Sequence, residues 1–124
     1  MPPAADGRRA LGIRSEDEAV RYLQGRGYQI LARGFRMHRG EIDIIARHGP
    51  TIVFVEVRAR ARTEFGLPLE SVKWPKQNQV RKVAQAYLQK HRLPEDRTAC
   101  RFDVLSVVWS EGRVPALTHI QNAF

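Results

Sequence analysis

Two carboxylates and a guanidinium stand in apolar surroundings in the first half of this 124-residue chain. Asp43 lies within residues 41–46 (EIDIIA), and Glu56 and Arg58 lie within residues 51–58 (TIVFVEVR). A carboxylate among Ile and Val is tolerated when it is paired, hydrogen-bonded or metal-bound. Carboxylate oxygens suit Mg²⁺, which keeps several waters and shares its shell with phosphate oxygens. Such a cation polarises a phosphoryl oxygen and activates water, and a nearby fixed positive charge steadies the charge that develops in the transition state. The chemistry within reach is phosphodiester hydrolysis. The same residues also admit a structural reading, with Glu56 and Arg58 as an i, i+2 ion pair at a strand end and Asp43 accepting from a backbone amide.

Both stretches are rich in β-branched residues and are separated by His48-Gly49-Pro50, so they read as paired strands in a hairpin. Side chains alternate between faces along a strand. Glu41, Asp43 and Ile45 should therefore share a face opposite Ile42 and Ile44, and Ile52, Phe54, Glu56 and Arg58 should share one opposite Val53, Val55 and Val57. Upstream, Ala19, Val20 and Leu23 mark an amphipathic helix that ends at Gly25-Arg26-Gly27. Ser15 and Glu18 match a capping box, so the helix starts there or runs through from near Arg8. Glu16 falls at one end of its inward face, either as an acid favoured by the helix dipole or as a third member of the site. Residues 28–35 (YQILARGF) read as a first strand with Tyr28, Ile30 and Ala32 on one face, and 36–40 (RMHRG) as a basic turn that includes Arg39.

Residues 59–73 show no sustained period and read as a long exposed loop, either a solvated connector or, through Arg60, Arg62 and Lys73, the lining of a substrate groove. Pro75 opens a second helix whose stripe of Val80, Val83, Ala84, Tyr87 and Leu88 runs to about His91. Residues 101–109 (RFDVLSVVW) are apolar on both faces and read as an interior strand in which Asp103 is structural. A turn at 111–113, a short strand at 116–120 and a tail at 121–124 complete the chain. The order α-β-β-β-α-β-β predicts an α/β (α+β) domain with a mixed sheet and a helix on each side, spanning residues 10–124 behind a flexible leader at 1–9.

The single cysteine, Cys100, excludes an intrachain disulfide, and no apolar run reaches the ~18 residues that span a membrane. His38, His48, His91 and His119 lack metal-ligand spacing. With no apolar leader segment either, a cytoplasmic protein is expected. Net charge is +8, and 17 of the 21 basic residues are Arg. That balance favours a polyanionic partner, nucleic acid foremost, although Arg abundance also follows coding bias.

At these residues the chain resembles a known group. GEIDIIA followed by FVEVRAR resembles the PD-(D/E)xK nuclease signature, and more closely the small bacterial YraN family, for which a restriction-endonuclease-like fold is predicted. The likeness continues through SEDEAVRYLQGRGYQIL, KQNQVRKVAQAYL, RFDVLSV and HIQNAF, from about residue 8 to the C-terminus. It implies a fold similar to that of Holliday-junction resolvases, a carboxylate-bound Mg²⁺ or Mn²⁺ and a DNA substrate, and homodimers are common among similar folds, although no residue here marks a dimer surface. Carried over by position, Asp43, Glu56 and Glu16 would hold the metal, and Arg58 would stand where the motif has lysine. Lys76 and Gln77 would face the site from the second helix. Arg39, Arg60, Arg62 and Lys73 are the further basic residues expected to meet DNA. Two departures are plain: Arg58 replaces the lysine, and Gly34 replaces an asparagine. An arginine cannot deprotonate and is a planar fork, so it supports binding better than turnover. Three functions stay open at this point: a Mg²⁺-dependent endonuclease, a nucleic-acid-binding module without turnover, and an interaction protein that uses the 59–73 loop.

Overall fold

The computed structural model describes residues 4–61 and 74–124. The elements follow in the order α1 (Ala4–Gly25), β1 (Gln29–Met37), β2 (Gly40–His48), β3 (Thr51–Ala61), α2 (Trp74–Lys90), a single 3₁₀ turn (Glu95–Arg97), β4 (Cys100–Trp109) and β5 (Ala116–Ile120). The strands form one mixed sheet in sequential order, antiparallel throughout except for the parallel pair β3–β4. That parallel pair is joined through the segment containing α2, as a crossover requires. α1 packs Ala19 and Leu23 against Ile44, Ala46, Val53, Val55, Leu105 and Val107. α2 packs Val80, Val83, Ala84, Tyr87 and Leu88 against Ile42, Ile45, Ile52 and Phe54. Two apolar clusters thus sandwich the sheet, and each fully buried aliphatic side chain contributes roughly 1.5–3 kcal/mol.

Several elements differ from their sequence-based outlines. α1 begins at Ala4, inside the stretch expected as a leader, because Ala and Arg near its start are strong helix formers. Ser15 is therefore no cap. It is fully buried mid-helix, and its hydroxyl accepts the Trp109 indole N–H at 2.7 Å. The other end of α1 is as expected: Tyr28 N–H bonds Leu23 O, Gly27 N–H bonds Gln24 O, and Gly27 takes φ +85°.

Strict alternation fails in both early strands. The β1–β2 register shifts between Ile30 and Ala32, so Ile30 packs with the α1 cluster and Ala32 with the α2 cluster. In β2, Ile42 and Ile44 were expected on one face but enter different clusters. The break falls at Asp43. There Gly34, at φ +61°, lies between the pairs Arg33↔Ile44 and Phe35↔Ile42. The β2–β3 ladder is paired from His48↔Thr51 to Ile44↔Val55, and beyond it the Val57 N–H donates to the Asp43 carboxylate. The expected loop also starts later than its pattern suggests. Residues 59–61 continue β3, because β4 offers a full-length parallel partner up to Ala61↔Trp109. The rest of that loop, including Arg62 and Lys73, lies outside the described residues.

Candidate functional site

Asp43 sits where β2 leaves its ladder with β3. Its Oδ2 accepts the Val57 N–H at 2.8 Å, and it shares a cleft with Gly12, Ile13 and Glu16 of α1 and with Glu41. Burial first, then the charge of Glu56, push its carboxyl up to about 7, against the lowering effect of the Val57 N–H. Glu16 and Glu41 add smaller upward contributions. Glu56 leaves β3 with a side chain only 15% exposed, and Lys76 Nζ of α2 lies 3.6 Å from its Oε1. Burial raises its pKa too, while Lys76 and Arg58 pull the other way. The sheet therefore brings Asp43, Glu56, Arg58 and Lys76 into one electrostatic group. Two half-buried acids repel each other there, and two cations offset them in part.

Glu16 is nearby but engaged elsewhere. Arg33 Nε of β1 lies 2.9 Å from Glu16 Oε1, and Arg33 Nη2 lies 2.7 Å from Asp17 Oδ1. This double contact raises the Arg33 pKa, through Asp17 first and then Glu16. Among the described residues no group of three or more His, Cys, Asp and Glu converges as a ready-made metal cage. The donor set still suits a hard divalent cation. Two mutually repelling carboxylate side chains, with waters and a phosphate to complete the shell, match the preference of Mg²⁺ for one or two carboxylates.

The remaining expected residues fall in three places. Arg60 lies on β3 opposite Val108, in the sheet and not in the loop its sequence pattern suggests. Gln77 is half-buried on α2, one residue beyond Lys76. Arg39 is exposed in the β1–β2 turn, and its carbonyl accepts from Gln79 Nε2 at 2.9 Å. Sequence reasoning missed Arg33, Arg36 and Gln79. The Arg33–Glu16 pairing spans 17 residues and is set by how α1 docks on β1, which no local pattern reveals. Asp103 is structural, as expected. It is fully buried and accepts from Arg101, His119 and the Asn122 N–H, which together overcome burial and hold its carboxyl below the usual range.

Comparison with known proteins gives a consistent answer. The profile of the uncharacterised protein family UPF0102 matches residues 15–107. A UPF0102 protein of Geobacter metallireducens is 47% identical over 117 residues, covering 94% of this chain and 93% of that one. One from Pelotomaculum thermopropionicum is 42% identical over 121 residues, covering 97% and 99%. One from Lachnoclostridium phytofermentans is 46% identical over 113 residues, covering 91% of each.

Proposed function

The chain belongs to the UPF0102 family, the YraN family its motifs resemble, and from that premise we propose that it is a divalent-cation-dependent DNA endonuclease. The observation that carries the reading is the half-buried Asp43–Glu56 pair, in which burial raises both carboxyls and the charge of Glu56 raises Asp43 further, with Lys76 and Arg58 beside them. A repelling acid pair costs folding energy and is kept where a cation or a reaction uses it. When bound, Mg²⁺ or Mn²⁺ would polarise a phosphoryl oxygen and make water a competent nucleophile. Asp43 and Glu56 would be its ligands, and Glu16, held by Arg33, would act on Asp43 through space. Arg58 contributes a fixed charge and cannot serve as a base. The Lys76 ammonium can donate to a phosphate oxygen while still facing Glu56. The net charge of +8 supports DNA as the partner.

Binding of the cation can be read without any substrate. Adding Mg²⁺ or Mn²⁺ should raise the melting temperature in proportion to ln(1 + [L]/Kd), and Asp43→Asn should abolish the rise. An unchanged rise in Asp43→Asn would remove Asp43 from the cation site. A second reading, a nucleic-acid-binding module without turnover, draws on Arg58 in place of lysine and on the engagement of Glu16 by Arg33. It predicts salt-sensitive DNA binding with no cleavage under either metal.

A further inference from the structure

The β1–β2 turn is built against the preferences of its own backbone. His38 and Arg39 both adopt left-handed φ, 54° and 62°, between the paired residues Met37 and Gly40. Two-residue hairpins of this kind favour Asn-Gly, because a Cβ is crowded at positive φ. Here two large side chains fill both positions. α2 clamps the turn from the side: Gln79 Nε2 holds Arg39 O at 2.9 Å, and a Cβ on Gly40 would come within 2.6 Å of Val83 Cγ2. The clamped turn places Arg39 in the wall of a cleft of about 460 Å³, with Arg36, Glu41, Lys76 and Gln79 around it. Arg36 lies 3.6 Å from Glu41, and Lys76 lies 3.6 Å from Glu56. Three cations therefore share the cleft with one carboxylate, and Lys76 joins the cleft to the Asp43–Glu56 pair. Backbone strain of this sort persists where the displayed side chain is used.

Resting on the nuclease reading above, we propose that this cleft is a subsite for one backbone phosphate beside the bond that is cut, with Arg39 as its ligand and the strained turn as the device that presents it. The guanidinium fork matches two phosphate oxygens. The Lys76 ammonium, between that phosphate and Glu56, ties occupation of the subsite to the acid pair. Arg36 offsets Glu41, which would otherwise repel the incoming backbone.

The test follows binding of a labelled single-stranded oligonucleotide to the full chain across a salt series in EDTA. The variants are Arg39→Ala, Arg39→Gly and Arg113→Ala, the last removing an equal charge from the exposed turn before β5. Both Arg39 variants should weaken binding about tenfold and flatten the slope of log K against log salt by about 0.7, the contribution of one single-strand phosphate contact. Arg113→Ala should leave the slope unchanged. Arg39→Gly should melt at or above the wild-type temperature, since glycine adopts positive φ freely. A wild-type slope in Arg39→Ala, or equal flattening in Arg113→Ala, would overturn the subsite, and a lower melting temperature in Arg39→Gly would overturn the strained-turn argument. DNA cleavage by the wild type is scored separately. A flattened Arg39 slope without cleavage upholds the phosphate contact and sinks the nuclease reading, whereas cleavage with an unchanged slope does the reverse.

Discussion

At the scale of single residues, the site is defined by charges that burial makes expensive. Asp43 in the folded chain keeps its proton up to about pH 7, whereas an unperturbed aspartate releases it near 3.8. Between those values the folded state binds more protons than the unfolded one, so this group's contribution to stability falls as pH rises through the window. In cation-free buffer the wild type should lose roughly 1–3 kcal/mol relative to Asp43→Asn between pH 5 and pH 8. Urea unfolding of both proteins at the two pH values measures it, and a pH-independent difference would mean that Asp43 titrates normally. Asp103 is the opposite case: just as acidic in sequence, it is satisfied by Arg101, His119 and a backbone N–H, and its pKa is lowered. The acids Asp43 and Glu56 were legible from their apolar surroundings and family motif. The engagement of Glu16 by Arg33 was not, because it depends on a contact between α1 and β1 that leaves no periodic trace.

At the scale of elements, Ser15 shows what local pattern can and cannot resolve. Ser15 with Glu18 has the spacing of a capping box, yet the helix runs through it and Trp109 of β4 donates to its hydroxyl. Ser15→Ala should leave the half-buried indole N–H without its acceptor and cost about 1 kcal/mol. Thermal or urea unfolding reads the loss, while DNA affinity should stay constant; a neutral substitution would make the contact dispensable. α2, β3 and β4 were readable because their apolar residues follow the helical period or fill an interior strand. β1 and β2 were readable as strands but not face by face. The bulge near Leu31 and the break at Asp43 each interrupt the alternation, and at the break Gly34 stands opposite Asp43 while the Val57 N–H of the neighbouring strand donates to its carboxylate. The same break is what frees the Asp43 carboxylate from a regular strand face and aims it into the cleft beside Glu16.

At the scale of the whole molecule, the fold is a sheet closed by one helix on each face, and the candidate site lies where the β2–β3 ladder ends. α1 supplies Glu16 on one side and α2 supplies Lys76 on the other. No helix among the described residues is long and apolar enough to cross a membrane. The surplus of eight positive charges favours a polyanionic partner, and the proposed Arg39 subsite would hold one of its backbone phosphates beside the acid pair. If the Asp43–Glu56 pair performs cation-dependent cleavage, as proposed, that activity depends on both acids. Its most direct test incubates labelled linear, single-stranded and four-way-junction DNA with Mg²⁺ or Mn²⁺ and the wild type, Asp43→Ala, Glu56→Ala or Arg58→Lys. The wild type should cleave at least one substrate, and Arg58→Lys should match or exceed its rate. Either acid variant should lose about 10²-fold or more, with DNA binding retained. Cleavage that survives both acid substitutions, or none by the wild type on any substrate, would contradict an Asp43–Glu56 nuclease site.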